Sequence, residues 1–507
     1  MYASESPHTV YCYECWQSDK WDAASYGAAF DVGRSFLEQF KELKKTAPRM
    51  GLVKQGDMET SQYCNRASNN RNCYLCFRAS SNEDCYYCHY LVESKDCMDC
   101  FNVNRCELSY GSIDCFDCYN VRFCQEAQNC SDSAFLYDCR NCSDCFGCIN
   151  LRNKRHCIFN VQYSAEEYAR KTQEWDLTNP ETLEKAKGEC KKVFARGIRP
   201  ALVSIRSEHV TGNLLYSCGN VKDSYMCKEV ENGRYLVFIT RGKDLMDVFH
   251  FGFDIESVYE SANCGISSSQ IKFSNECFTS NSGLEYCDNC VSCTDCFGCV
   301  GLRNKKYHIL NKAYAPEEYS KIVAGIKKQM DEIPYKDQQG RVYKYGEFFP
   351  PELSSFCYNE TVAQMYFPLL KEEVLVQGFR WRDQELREAK AVPGAVLCVH
   401  GGICNHGCTG AFKIIPQEQE YYRRMKIVPP ALCPNCRHGA RVEMRTPMVL
   451  HQRTCGCVGE RDMGGAYKNK TAHEHGAAPC KGSFETTHPP DSPATVYCEA
   501  CYQAEVV

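Results

Sequence analysis

From Cys64 to Leu151, all sixteen cysteines fall on one phase of a three-residue repeat, and Cys157 continues it. The other positions on that phase are Ala, Asn, Ser, Val or Leu, with no charge and no aromatic ring. Asp, Asn, Arg, Tyr and Phe occupy the two remaining phases, as in Asp96-Cys97-Met98-Asp99-Cys100-Phe101. A helix repeats at 3.6 residues and a flat strand at 2, so neither keeps this phase. A narrow β-solenoid does, because short strands alternate with tight turns and a small residue points inward at about every third position. Its interior is too thin for Phe or Tyr but admits Cys, Ala, Ser and Val, so size rather than reactivity selects the cysteines. Disulfides within that core and metal knuckles are the rival readings. A tetrahedral metal needs converging tetrads rather than a long line of thiols, which favours inward structural thiols.

The spacing of Cys64, Cys76, Cys88 and Cys100 is twelve, and that of Cys106, Cys124 and Cys142 is eighteen, which leaves the coil length open. The twelve-residue spacing is similar to that of insect antifreeze β-helices, but the Thr-x-Thr ladder of that family is absent, so its activity is not implied. Residues 139–168 (CRNCSDCFGCINLRNKRHCIFNVQYSAEEY) recur 151 residues later as 290–319 (CVSCTDCFGCVGLRNKKYHILNKAYAPEEY). Two solenoid units are therefore expected, each closed by a helix that covers its open end. Helical spacing marks 163–197 and 316–331, with Pro180, Pro316 and Pro350-Pro351 at starts or breaks. The second unit, poorer in Cys and richer in Val, Phe and Ile, is expected to have wider coils. The repeated Arg152-Asn153 and Arg303-Asn304 read as a cap-forming turn rather than a repeated site.

With 507 residues, 40 cysteines, 44% hydrophobic residues and a formal charge of −5, the chain is neither a short disulfide scaffold nor a wholly basic nucleic-acid binder. Its start, MYASESPHTVYCYECW, has no secretory-signal pattern, and no run approaches a membrane span. Reduced thiols and a cytoplasmic location are expected.

The last third reads as zinc modules. Cys433-Pro-Asn-Cys436 is a knuckle, and Cys408, four residues before Phe412, stands where the second ligand of an earlier pair belongs. Cys404 is its expected partner, with Cys398, His400 and His406 as alternatives. A β-hairpin and a short helix are expected between the two pairs. A second module follows: Cys455-Gly-Cys457, His473-Glu-His475, Cys480 (four residues before Phe484) and Cys498-Glu-Ala-Cys501. Cys457, Cys480, Cys498 and Cys501 are its expected ligands, with Cys455, His473 and His475 as further candidates for one site or two. Paired soft ligands suit tetrahedral Zn²⁺, and two to four ions per chain are expected. Ser492-Pro-Ala-Thr-Val-Tyr-Cys498-Glu-Ala-Cys501-Tyr also matches Ser6-Pro-His-Thr-Val-Tyr-Cys12-Tyr-Glu-Cys15-Trp. Cys12 and Cys15 thus form half a module, which a longer natural chain or another subunit would complete.

The signatures VYCYECWQSDKWD, FLEQFKELKKTAPR, DCFGCVGLRNKKYHILNKAYAPEEY, FFPPELSSFCYNETVAQMYFPL, GFRWRD, FKIIPQEQEYYRRM, CPNCRH and VYCEACYQAEV cover nearly the whole chain. They resemble uncharacterised cysteine-rich zinc-ribbon proteins of candidate-phyla bacteria, known from metagenomes. FKIIPQEQEYYRR with CPNCR also resembles the probable zinc-ribbon domain family, which implies zinc on Cys408, Cys433 and Cys436 and no described activity. The histidine-containing insertions depart from that family's simplest pattern.

The fold expected is mainly β: two β-solenoid (β-helix) units with inward ladders of Cys and small residues, helical caps and C-terminal zinc-ribbon-like modules. The expected segments are a half zinc module (1–20), a helical linker or cap (21–62), solenoid unit 1 (63–162) and a helical connector (163–208). Solenoid unit 2 (209–313), a helical cap and connector (314–390), a zinc module (391–440) and a second with the His-containing insertion (441–507) follow. No Ser-His-Asp set, P-loop, G-x-G-x-x-G or paired carboxylate stands out, so the reading is a non-enzymatic scaffold or interaction protein with no small-molecule substrate. It is expected to be a homo-oligomer, with a dimer favoured. Residues 413–470 carry eleven Lys or Arg against five Asp or Glu. Arg423, Arg424, Lys426, Arg437, Arg441, Arg445 and Arg453 are therefore candidate phosphate contacts in an alternative nucleic-acid-binding reading. Thiol redox or metal handling is a second alternative, disfavoured if the ladder thiols face inward.

Overall fold

The computed structural model describes residues 2, 6–237, 281–383, 393–459 and 469–507. It is mainly β, built on stacked solenoid coils. Cys264 and Cys277, and much of the insertion after Cys457, lie outside the described residues. Two compact units are present, each gathered from separate stretches of chain.

One unit comprises 52–201, 383–446 and 451–507. Its solenoid opens at Lys54–Gln55, which pairs thirteen residues on with Ala67 and Ser68, and the coils that follow stack in parallel with a register of twelve residues. Asn65 pairs with Phe77, Phe77 with His89 and His89 with Phe101; on another side Glu107, Tyr119, Ser131, Ser143 and Arg155 follow one another. Cys106, Cys118, Cys130 and Cys142 form one twelve-residue column, and the spacing of eighteen only crosses between columns.

The conformational basis of the three-residue phase is an unusual backbone. Every third residue from Thr60 to Phe159 has φ between 46° and 66°, including Gly111 and Gly147. Each left-handed residue turns the chain, and the residue after it points inward. Twelve residues therefore contain four such corners and four inward side chains. The inward thiols are 0–2% exposed. All but Cys124 and Cys157, which have one, lie near two main-chain carbonyls: Cys97 Sγ is 3.3 Å from the Lys95 oxygen and 3.5 Å from that of Cys106. The polar S–H thus has an acceptor inside an otherwise apolar tube. In one column the side chain also accepts the main-chain N–H twelve residues on: Asn70 from Asn82, Asn82 from Ser94, Ser94 from Cys106 and Cys106 from Cys118.

The antiparallel turn Ile158↔Val161 ends the stack. Helix Ala165–Thr172 follows, opened by a Ser164/Glu167 capping box, and then helix Pro180–Ala195, capped by Asn179. Cys190 of the second helix packs at Gly147, where a Cβ would lie 3.2 Å from its sulfur.

The other unit comprises 1–51, 202–382 and 447–450. Its coils are not wider among the described residues. Gly219 pairs with Glu231, and Ser282 with Thr294 and then Lys306, again at twelve, while the opening coil (Ser204↔Leu215) has eleven. Larger Val and Leu side chains fill the same tube where cysteines are fewer. Helices Phe36–Thr46 and Pro316–Glu332 cover this solenoid through Phe36, Phe40, Ile326 and Met330 against Tyr286, Phe297 and Ile309. Asp288 is buried between Lys44 and Arg49.

Candidate metal centres

Both C-terminal modules share one construction. A strand ends at the first ligand, a loop carries further ligands, and a returning strand starts just after the loop. Val396–Leu397 pairs antiparallel with Ala411–Phe412, and His451–Thr454 with Ser483–Thr486. The hairpin therefore brackets the first ligands instead of following them. The closing cysteines sit at helix N-termini: Cys433 precedes helix Pro434–Val442 and Cys498 precedes helix Glu499–Val506. The positive end of a helix favours a thiolate there.

In the first module Cys398, Cys408, Cys433 and Cys436 converge. For a tetrahedral thiolate site with metal–sulfur bonds of about 2.3 Å, the sulfur–sulfur edge is about 3.8 Å. The observed edges are 3.8 Å for Cys398–Cys436, 3.5 Å for Cys433–Cys436 and 4.0 Å for Cys408–Cys433. Hairpin pairing puts Cys398, not Cys404, beside Cys408. Cys404 sits at the loop and forms a second group with His400 and Cys436, 3.4 Å from the Cys436 sulfur.

The second module repeats this. Cys455, Cys480, Cys498 and Cys501 converge, with Cys480–Cys498 at 3.9 Å. Cys455 takes the place expected for Cys457, which instead groups with His473, His475 and Cys501. The hydrogen bonds to sulfur correspond as well. Cys433 N–H donates to Cys398 and Cys498 N–H to Cys455, at 3.3 and 3.2 Å. Gly410 N–H donates to Cys408 and Gly482 N–H to Cys480, both at 3.4 Å. Burial pushes the Cys433 thiol up, but hydrogen bonds from Thr409 and Cys436 outweigh it and bring the group down to about 7.

Two imidazoles of the second module are held from behind. His473 Nε2 lies 3.3 Å from Glu505 and His475 Nδ1 lies 2.7 Å from the Ala478 carbonyl. Such partners fix which ring nitrogen faces a metal. Asn469 donates to the Cys457 sulfur at 3.1 Å. Glu505, Ala478 and Asn469 lie outside the ligand motifs and carry no spacing signal in the sequence.

Cys12 caps the short helix Tyr13–Gln17 by accepting the main-chain N–H of Cys15, which lies within it, and both cysteines are exposed. Among the described residues no third ligand groups with them. Val10–Tyr11 pairs with Arg49–Met50 just as Val496–Tyr497 pairs with Arg199–Pro200. The repeated arginines serve these knuckles. Arg152 donates to Tyr502 after Cys501, and Arg303 donates to the Ser18 carbonyl and to Gln17 beside Trp16.

Of the basic residues in 413–470, Arg437 and Arg441 are buried, Arg445 and Arg453 are half-buried, and Lys413, Arg423, Arg424, Lys426 and Lys470 are exposed. Arg437 pairs with Glu418 and Asp99, Arg441 with Asp99, Arg445 with Asp114 and Arg424 with Asp96. These aspartates lie on the solenoid, so the excess positive charge complements its acidic side within the unit. Arg453 donates to the carbonyls of Pro489 and Ala494, and Arg423 pairs with Glu420 on the surface. Lys426 is the left-handed C-cap of helix Pro416–Met425.

No helix among the described residues is long and apolar enough to cross a membrane. No family model matches the sequence, and no curated protein matches it.

Proposed function

We propose that the chain is a non-enzymatic zinc-binding scaffold or interaction protein that works in a reducing, cytoplasmic setting and self-associates. The observation that carries this reading is the pair of four-cysteine clusters set on the side of a solenoid. Their edges suit a small tetrahedral ion, and an all-thiolate set favours Zn²⁺ over hard cations. Four protein ligands close the coordination shell, which is the structural rather than the catalytic pattern of zinc. The resemblance to zinc-ribbon families points the same way. The exposed Cys12-Cys15 pair supports self-association, because two thiolates need further ligands and a second subunit is a source of them. The arginines named for phosphate contact are mostly engaged with the solenoid, so the nucleic-acid reading gains no observation in its favour.

Native mass spectrometry of the full chain tests this reading. Zinc bound at both C-terminal modules is expected, together with a dimer that C12S/C15S converts to monomer. A chain without metal refutes the zinc reading. A variant that stays dimeric refutes the role given to Cys12 and Cys15.

A further inference from the structure

We infer that each C-terminal module holds two metal ions joined by one bridging thiolate, Cys436 in the first module and Cys501 in the second. This rests on the metal-binding reading above and extends it.

One sulfur in each module is common to two ligand groups. Cys436 belongs both to the tetrad with Cys398, Cys408 and Cys433 and to the group with His400 and Cys404. Cys501 belongs both to the tetrad with Cys455, Cys480 and Cys498 and to the group with Cys457, His473 and His475. In each case the shared residue is the second cysteine of the closing knuckle. A thiolate has lone pairs enough to bind two cations, and two tetrahedra sharing one corner need seven donors.

The second module supplies those seven: Cys455, Cys480, Cys498, Cys501, Cys457, His473 and His475. Around its second site, His475 Nε2 lies 3.3 Å from both Cys457 and Cys501, and His473 Nδ1 lies 3.8 Å from Cys457. With metal–nitrogen bonds of about 2.0 Å and metal–sulfur bonds of about 2.3 Å, a tetrahedral edge is about 3.5 Å. The Glu505 and Ala478 contacts turn both metal-facing ring nitrogens toward this point. Such aim from behind is what an imidazole ligand requires and what a surface histidine lacks.

The first module shows the same donor order. It reads Cys398-x-His400, Cys404-x-His406, Cys408 and then the knuckle, against Cys455-x-Cys457, His473-x-His475, Cys480 and then the knuckle. Cys and His exchange places at two positions, and both are ligands for the same ion type. By this correspondence His406, whose Nε2 lies 3.3 Å from Glu443 and which does not itself converge with His400, Cys404 and Cys436, is the residue that would turn in as fourth donor to the second ion. Its ring lies 6.2 Å from that of His400. It also packs against the helix that carries Cys436, where a Cβ on Gly439 would collide with its Nδ1.

The test uses the full zinc-loaded chain. Native mass spectrometry should count two ions per module, and H473A/H475A should carry one ion fewer than wild type. E505Q leaves every donor in place, so it guards against misfolding of the double variant. It should weaken only the most weakly held ion of the second module, by about 10–100-fold. Equal ion counts in wild type and H473A/H475A overturn the second site while leaving the tetrads standing. A wild-type chain with no metal refutes the underlying metal reading instead. Cadmium-113 substitution then tests the bridge. Scalar coupling between paired cadmium resonances is expected, and uncoupled resonances overturn the shared thiolate.

Discussion

Arg437 is 5% exposed and lies between Glu418 and Asp99, with the Tyr87 ring 4.8 Å from its guanidinium carbon. Tyr87 and Tyr422 both donate to Glu418, so the cation and its two carboxylates form one buried network. Removing one partner of such a network strands the others in a medium that solvates charge poorly. R437A should therefore destabilise the metal-loaded protein by about 3–5 kcal/mol in urea unfolding. R423A, which removes only a surface pair with Glu420, should change stability by less than about 1 kcal/mol. Glu126 gives a second test at this scale. Burial, then the Asp138 and Asp114 carboxylates, push its carboxyl up to about 7 from 4.5, and the Arg199 charge and a hydrogen bond with Tyr137 oppose them only in part. The folded form holds the proton more tightly, so this contribution is present below about pH 4.5 and is lost as pH rises through about 7. With zinc saturating, E126Q should lose less stability between pH 5 and about 8 than wild type does. Parallel curves would contradict the assignment.

The structural element is a three-residue corner, and its chemistry accounts for the residues on either side of the cysteines. Left-handed backbone is costly for most residues and least so for Gly, Asn and Asp. Asp96, Asp99, Asp114, Asp117, Asn141 and Asp144 occupy such corners directly before inward residues. Several also bridge coils, as Asn102 does to Asp114 and Asn129 to Asn141. Glu93, at φ 49°, lacks the preference. E93I should cost about 1–2 kcal/mol and E93G should be close to neutral, as read from thermal unfolding. The inward phase was legible in the sequence because few folds besides a narrow tube need a small residue at every third position. Coil length was not. All four columns draw on the same small residues, so coils of twelve and of eighteen keep the same phase, and only main-chain pairing decides between them. Likewise both knuckles were visible as C-x-x-C, but the choice of Cys398 over Cys404 and of Cys455 over Cys457 depends on which residues the hairpin brings together.

On the scale of the whole chain, the duplication runs deeper than the solenoids. In each unit a two-stranded parallel pairing introduces a cysteine knuckle, and the aromatic after the knuckle, Trp16 or Tyr502, docks beside an arginine of the repeated Leu-Arg-Asn-Lys turn. Gly301 admits the Trp16 ring, since a Cβ there would lie 3.0 Å from it. What differs is completion: Cys498 and Cys501 meet a hairpin of ligands, and Cys12 and Cys15 do not among the described residues. Apart from Cys190 on its covering helix and the half-buried Cys357, the cysteines among the described residues thus divide by environment into thiols sealed in a tube, thiols gathered for metal and an exposed pair.

Mapping of thiol alkylation by mass spectrometry tests that division most directly. In the zinc-loaded chain, diluted until the dimer has dissociated, Cys12 and Cys15 should react first. After chelation Cys398, Cys404, Cys408, Cys433, Cys436, Cys455, Cys457, Cys480, Cys498 and Cys501 should join them. Ladder cysteines such as Cys97, Cys118 and Cys296 should react only in denaturant. Rapid labelling of the ladder in the native protein, or module cysteines that react equally with and without metal, would contradict the division.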